Sequence, residues 1–579
     1  MPNLRQQTLF DNWDVTKLPK STALLEAVED MATISDVEKR GAIFTRVEVV
    51  EFILDLVGYV SNACLHTKRI LEPSFGNGDF LLPVIDRLLH SWRANTTSHS
   101  SSLEELGDAI RAVELHRPTF ETTHRAVITK LRSMGIVSLE AYELANRWLI
   151  QGDFLLEPQV VFFDYVVGNP PYVRQELISE PLLSEYRSLF KTMYDRADLY
   201  VPFMERSLSL LNSGGILGFI CSDRWMKNRY GRSLREFISK GFHLKTYVDM
   251  VGTEVFHSEV SAYPAITVIA KTKANVTRVV HRPKIDKNIL AQVSIEITSE
   301  ILPPNSSVNE VLGVVNGSEP WLLDTSSQIK LIRRIENQLP HIEDIGCKIG
   351  IGVATGADKV FIGDFDSLDV EPDRKLPLVT TRDIQSGEIV WRGKGVINPF
   401  TDIGKLVALE DYPRLAHYLE NHKEIITKRH CAQKTPLSWY RTIDHIRSDL
   451  TYQPKLLIPD IKGKAHVVYD SGKFYPHHNI YYVISEIWNL RALQAVMQSS
   501  VSKLFIETYS TKMRGGYLRF QAQYIRRIRI PFWKDVSENL RNELIHAANI
   551  HDLDACNKST FKLYGLSQEE ISSLLVRQE

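Results

Sequence analysis

Val161 to Val167 is a short β-branched and aromatic run that ends in Gly168 and then Asn169-Pro170-Pro171-Tyr172. It is too short for a typical helix and reads as a buried strand. The two prolines fix φ and remove two backbone donors at the strand's exit. An amide, a proline carbonyl and an aromatic ring are thereby held at the carboxyl edge of a sheet, where ligands of open α/β folds bind. The Asn169 side-chain oxygen and the Pro170 carbonyl can both accept from one NH2 group. Tyr172 can stack on the flat ring that carries that group. Two acceptors draw an exocyclic amine's lone pair out of ring conjugation and make it nucleophilic. Taken alone, the same residues also fit an ordinary strand-to-loop exit.

Three more strand ends lie upstream. Ile70 and Leu71 lead through Glu72-Pro73-Ser74-Phe75-Gly76-Asn77-Gly78 into a helix start. Glycines in such a turn let the backbone approach a nucleotide-like ligand. The third Gly of the dinucleotide fingerprint is missing, with Leu81 in its place, and Glu72 would repel a pyrophosphate. A carboxylate there suits a cationic ligand, one with an amino group or a sulfonium. Ala109 to Glu114 reads as the second strand, its terminal acid suited to ribose hydroxyls. A polar insertion over 91–107, read as loop with part of a helix, explains why Glu114 lies beyond the usual spacing of about 20 residues. A helical stretch from Phe120 to about Met134 follows. Trp148 to Phe154 reads as a third strand ending in an acid and an aromatic, able to bind an adenine amine and face. Ahead of them all, Val47 to Val57 has helical apolar spacing, with Thr45 as its expected N-cap.

In this order of Gly turn, Glu114, Gly152-Asp153-Phe154 and Asn169-Pro170-Pro171-Tyr172, the chain resembles the S-adenosylmethionine-dependent adenine-N6 DNA methyltransferases. Gly41-Ala42-Ile43-Phe44-Thr45 is similar to the motif before the Gly turn in the gamma-ordered, TaqI-like group. The resemblance implies an α/β fold: a Rossmann-like methyltransferase domain with a mixed, mostly parallel sheet, then a C-terminal α+β target-recognition domain. It implies that Thr45, Glu72, Pro73, Ser74, Phe75, Gly76, Gly78, Glu114, Asp153, Phe154 and Pro171 bind S-adenosylmethionine. It implies that Asn169, Pro170 and Tyr172 hold a flipped-out adenine, with Phe256 closing the ring's other face. Catalysis would rest on positioning and acceptor dipoles, the methyl passing directly to N6. Arg196 to Tyr200 and Gly214 to Ile220 resemble the next helix and strand, and Ser222 to Trp225 a following loop. Cys347 to Phe361, Lys455 to Asp460 and Gly515 to Pro531 resemble parts of the TaqI-like specificity domain. In size and layout the chain also resembles the BseCI and ClaI type, which implies an ATCGAT target and a protective role beside a restriction enzyme.

The expected partner is double-stranded DNA, held in a cleft between the two domains. A net charge of −1 gives no general affinity for polyanions, so contacts must be local. From Lys512 to Arg529 there are basic residues and no acidic one, with Tyr517, Phe520 and Tyr524 interleaved. Lys512, Arg514, Arg519, Arg526 and Arg527 are the expected DNA-binding residues; a solvated basic strand edge has the same composition. Five widely spaced cysteines without a CxxC pair predict neither a disulfide framework nor a metal site, and fit the cytoplasm. No apolar run approaches membrane-spanning length, so no membrane partner is expected. The expected division is an arm over 1–38, a catalytic domain over 39–300, a recognition domain over 301–535 and a helical tail over 536–579. The polar stretch Asn305 to Ser318 supplies the link. One methyl per binding event suits a monomer with no obligatory subunit.

Other readings fit less of the chain. Glutamine-N5 methyltransferases also use Asn-Pro-Pro-Tyr but are compact and lack a large second half. A fused nuclease would bring an acid pair followed by Glu-x-Lys, whereas Pro372-Asp373 is followed by Glu388-Ile389-Val390. A DNA-binding module without chemistry has no need of an intact Asn169 and Tyr172. Cytosine-N4 transfer usually goes with Ser in place of Asn169, and no Pro-Cys nucleophile for cytosine-C5 chemistry is present.

Overall fold

The computed structural model describes residues 22–34, 41, 43–95, 101–158, 161–257, 264–323, 326–462, 467–510 and 518–575. The chain forms two compact units, parted between Thr325 and Ser326.

In the first unit the strands are β1 (Ile70–Glu72), β2 (Ile110–Glu114), β3 (Leu149–Gln151), β4 (Phe163–Gly168), β5 (Leu211–Ser222), β6 (His243–Asp249), β7 (Pro264–Ala270), β8 (Val276–His281) and β9 (Asn309–Leu312). They form one sheet in the order β3-β2-β1-β4-β5-β7-β6-β8-β9. β3, β2, β1, β4 and β5 run parallel, as do β6 and β8. β7 is antiparallel to both of its neighbours, and β9 to β8. This is the mixed, mostly parallel sheet expected of a methyltransferase domain.

Amphipathic helices cover it. Val47–Val57 buries Val49, Val50, Phe52, Ile53, Leu54, Leu56 and Val57, a wide apolar face at helical spacing. Leu81–Asn95 buries Leu81, Val84, Ile85, Leu88 and Leu89 and starts directly after the Gly turn. From β1 the chain moves outward to β2 and β3, then returns to place β4 on β1's other side. The carboxyl ends of β1 and β4 therefore flank the switch point where α/β folds open a crevice. The register sets Glu72 opposite Ala112, Glu114 opposite Gln151 and Gly168 opposite Phe219, so β2 reaches two residues beyond the end of β1.

Local readings are corrected in several places. Arg46, not Thr45, is the N-cap of Val47–Val57, and it makes no side-chain cap hydrogen bond. Trp148 ends a helix, Ser138–Trp148, rather than starting β3, and its ring N–H donates to the Leu106 carbonyl at 2.9 Å. Ser222 to Trp225 includes the start of a 3-10 turn, Asp223–Met226. The stretch read as a link contains β9, an edge strand of the large sheet, so the first unit runs to Thr325 and not to about 300.

In the second unit the strands are β10 (Cys347–Ile351), β11 (Ile362–Asp364), β12 (Lys375–Val379), β13 (Lys394–Ile397), β14 (Lys455–Pro459), β15 (Ile461–Lys462), β16 (Val468–Asp470), β17 (Tyr475–Pro476), β18 (Ile480–Ser485) and β19 (Leu518–Arg519). They pair as β10-β18-β14-β16, β11-β13-β12-β17 and β15-β19. Helices Leu490–Gln498, Glu538–Asn549 and Leu553–Leu563 pack on one another, so the tail belongs to this unit. Lys455 and Asp470 face each other across β14 and β16 as a wholly buried ion pair at 2.8 Å. The ammonium also donates to the Thr451 and Gln453 carbonyls at 3.2 and 2.9 Å. The Asp470 carboxylate accepts from the backbone of Gly472, Lys473 and Phe474 at 3.2, 3.0 and 3.2 Å.

Candidate active site

A cleft of about 1020 Å³, open solvent at its mouth included, lies at the carboxyl ends of β1, β2, β3 and β4. It brings together Thr45, Glu72, Pro73, Ser74, Phe75, Gly76, Glu114, Asp153, Phe154, Asn169 and Pro171, all expected from the sequence. Gly78, Pro170, Tyr172 and Phe256 do not line it. Asp79, His116, Tyr186 and Phe203 do, and sequence reasoning missed them. Asp79 follows the second Gly of the turn, which is a signal of a kind. Tyr186 sits on a helix with no local hint of its role; its hydroxyl donates to Asp153.

Four carboxylates line the cleft, Glu72, Asp79, Glu114 and Asp153, and among the described residues no lysine or arginine does. Burial, helped by the charges of Asp79 and Glu114, holds the Glu72 carboxyl well above its ordinary range. Its Oε2 is buried and has no hydrogen-bond partner among the described residues. Burial also raises Asp79 and Asp153, opposed at Asp79 by the Thr45 N–H and at Asp153 by the Tyr186 hydroxyl. Glu114 is held by the backbone, accepting from Gly76 at 2.9 Å and from His116 at 2.8 Å. Buried, clustered carboxyls are costly to ionise in the empty cleft, and a cationic occupant would favour their charged forms.

Asn169 reaches the cleft from the end of β4. Its Nδ2 donates to the Ile43 carbonyl at 2.9 Å and to the Thr45 hydroxyl at 3.2 Å. A carbonyl can only accept, so the first contact fixes which end of the amide is nitrogen. Asn169 Oδ1 is buried without a partner among the described residues, the open acceptor expected of a group that receives a substrate N–H. Behind it the Tyr172 ring lies 6.3 Å from Tyr200 and 6.4 Å from Phe256. Tyr172 and Phe256 meet edge to face at 81°, so the two expected walls of a ring slot are not parallel. Gly41 faces the Tyr172 backbone so closely that an added Cβ would lie 2.7 Å from its N and C atoms, and its φ is +61°. Only glycine meets both conditions without strain.

Comparison with known proteins places the chain in a family. Residues 126–256 match the Eco57I restriction-modification methylase family, and 377–530 match the TaqI-like C-terminal specificity domain. The type II methyltransferase M.PaeR7I of Pseudomonas aeruginosa is 60% identical over 552 residues, covering 95% of this chain and 96% of that protein. M.XhoI of Xanthomonas vasicola is 52% identical, covering 92% and 98%.

The chain belongs to the type II methyltransferases of restriction-modification systems.

Among solved structures, the type IIL restriction-modification enzyme MmeI, determined in complex with DNA, shares the fold with a TM-score of 0.60. It is 12% identical, covering 96% of this chain and 77% of that one. These relatives give the narrower BseCI and ClaI resemblance no support. The second half of this type II methyltransferase is thus a specificity domain, the part of the chain where DNA contacts were sought. Lys512 and Arg514 lie outside the described residues, as does the Arg519 side chain, though Arg519 itself is in β19. Arg526 is exposed and pairs with Glu343 at 3.0 Å while donating to the Ile349 carbonyl at 3.0 Å. Arg527 stacks over the Tyr509 ring at 4.6 Å. Both arginines are held by their own domain, and Arg526 retains the exposure a phosphate contact needs. One other donor group, Asp358, His477 and His478, brings its ligand atoms within 4.8 Å of one another; there the His477 Nε2 lies 3.3 Å from the Asp358 carboxylate. No helix among the described residues is long and apolar enough to cross a membrane.

Proposed function

We propose that the protein transfers a methyl group from S-adenosylmethionine to N6 of an adenine rotated out of a short duplex DNA target. The observation that carries this reading is the buried Asn169 Oδ1, without a partner among the described residues, beside a cleft lined by four carboxylates. Glu72 suits the positive charge of the cofactor, Glu114 its ribose hydroxyls, and Asp153 with Phe154 its adenine. When bound, S-adenosylmethionine supplies an electrophilic methyl on a sulfonium. Asn169 Oδ1 and the Pro170 carbonyl accept from the target amine and leave its lone pair free for attack. The methyl would pass to the amine held by Asn169 and Pro170, leaving the donor as a neutral thioether, and the amine's surplus proton would go to water. Tyr172 stacks on the flipped base, and Phe256 turns from its edge-on position to cover the other face. Rotating a base out costs a few kcal/mol, which DNA contacts by the specificity domain offset. Cys221 is buried, and burial together with Asp223 pushes its thiol up, so it offers no thiolate for carbon methylation. The enzyme acts in the cytoplasm as a monomer, protecting host DNA from a cognate restriction enzyme.

The test is methylation of genomic DNA with tritiated S-adenosylmethionine, wild type against Asn169→Ala, with nucleoside analysis and mapping of modified positions. Label in N6-methyladenine at one short motif, lost in the variant, is expected. Label in another base, or none in DNA, sinks the proposal.

A further inference from the structure

Residues 41 and 43–46 touch three separate parts of the site. The Gly41 carbonyl accepts from the Tyr172 N–H at 3.2 Å, and the Phe44 carbonyl from the His257 N–H at 3.1 Å. The Arg46 N–H donates to the Val255 carbonyl at 3.1 Å, and Thr45 pairs with Phe256 as an isolated antiparallel bridge. The Thr45 N–H donates to Asp79 Oδ2 at 2.9 Å. The Ile43 carbonyl and Thr45 hydroxyl take both hydrogens of the Asn169 amide. This one strap therefore joins the Gly turn, the Asn-Pro-Pro-Tyr exit and the Val255-Phe256 segment.

The amide of Asn169 is oriented by where the strap sits. With Nδ2 committed to two acceptors on the strap, the amide cannot turn over without losing both, and buried hydrogen bonds left unmade are costly. Oδ1 is left as the free acceptor. The position of Thr45 is fixed in turn on the turn side by the Asp79 carboxylate. Asp79 is half-buried; burial raises its carboxyl, while the Thr45 N–H and, less, His257 lower it. A half-buried carboxylate that spends one oxygen on a backbone N–H makes a firm anchor.

Resting on the reading of Asn169 given above, we infer that Asp79 is a positioning residue for the methyl-transfer step. It acts through Thr45, holding the strap that orients the Asn169 amide, and so ties the floor of the cofactor cleft to the base-binding acceptor. The rival role for the same carboxylate is simple attraction of a cationic cofactor. The two differ in what they need from it: positioning needs an oxygen that accepts from Thr45, and attraction needs the charge.

Asp79→Ala, Asp79→Asn, Thr45→Val and Thr45→Ser, made in the full chain, separate them. Three readouts apply: single-turnover methylation at saturating S-adenosylmethionine, Kd for S-adenosylmethionine, and fluorescence of 2-aminopurine placed at the target adenine to report extrusion. Positioning predicts that Asp79→Ala lowers the saturated rate tenfold or more while Kd moves less than threefold and extrusion persists. Asp79→Asn then recovers most of that rate because its amide oxygen still accepts from Thr45. Thr45→Val shows a rate defect that Thr45→Ser recovers, and Asp79→Ala combined with Thr45→Val is no slower than the slower single variant. The inference is overturned if Asp79→Asn is as defective as Asp79→Ala, or if the loss lies in Kd alone with the saturated rate intact. Melting profiles matching wild type are required of each variant; Asp79→Asn carries the decision if Asp79→Ala does not fold. If Asn169→Ala methylates DNA as well as wild type, the function proposal fails, whereas an inactive Asn169→Ala with an undisturbed Asp79→Ala overturns only this inference.

Discussion

The two units bury charge in opposite ways. In the second, Lys455 and Asp470 lie wholly out of water, and each is also hydrogen-bonded to nearby backbone, so the pair is internally complete. In the first, Glu72 is buried beside other carboxylates with one oxygen unpartnered among the described residues, as is Asn169 Oδ1. Fully partnered buried polar groups rigidify a fold, while an open one inside a cleft can receive a ligand. The specificity domain thus uses its buried charge to fix a strand pair and turn, and the catalytic domain keeps its own for function.

The comparison breaks most sharply at Lys455. Lys455→Met strands Asp470 in the interior, and such losses cost about 3–5 kcal/mol; urea unfolding should show the second unit's transition shifted by that amount. An unchanged midpoint would mean that the pair is not structural. Asn169→Ala, by contrast, should leave the unfolding midpoint near wild type and lower the methylation rate by about 10²–10³, the range for removing one preorganised polar group. If it unfolds the protein instead, the open acceptor is structural after all.

Glu72→Gln sharpens the contrast further. It should weaken S-adenosylmethionine binding about tenfold, near 1.4 kcal/mol, while stabilising the free protein at neutral pH. The sign follows from the raised carboxyl: its contribution to stability is full below the ordinary value of 4.5 and is lost as pH climbs through the raised one. Wild type should therefore melt lower at pH 8 than at pH 6 without ligand, and the variant should show a smaller difference; calorimetry at both values checks it. The smallest effect concerns Asp198, which burial lifts to about 6 against the pull of Arg174 and Arg224. Its favourable contribution is complete below 3.8 and disappears as pH rises through about 6. Asp198→Asn should flatten the stability profile between those values by about 1–2 kcal/mol, allowing for residual solvent. A profile that keeps its slope would place that titration elsewhere.

Much of the catalytic unit was legible because its signals are local. Each parallel strand ends in its own acid or amide within a few residues, and Gly76, Glu114, Asp153 and Asn169 were all found in this way. What escaped depended on distant partners. Thr45 fits a cap by local rule, yet its hydroxyl is taken by Asn169, 124 positions on, and Arg46 becomes the cap. Tyr186 has no neighbour in sequence that hints at Asp153. β9 was hidden among polar residues because only Val311 of its four is buried, and an edge strand with so little to bury looks like a linker. Lys455 and Asp470 each look like surface charges in sequence, since only their pairing across two strands makes burial tolerable.

The strap's fit at Gly41 also bears on heredity. Between its α-carbon and the Tyr172 backbone there is room for a hydrogen and nothing larger. A single-base change to alanine would press on the Tyr172 backbone, which supplies the three atoms nearest to the added carbon. A lineage carrying that change would keep a folded specificity domain, still competent to find its DNA, beside a catalytic pocket pushed out of shape. The host would then hold a protein that visits every target and leaves them unprotected. Gly41 is therefore a position at which selection in a restricting host would act at once.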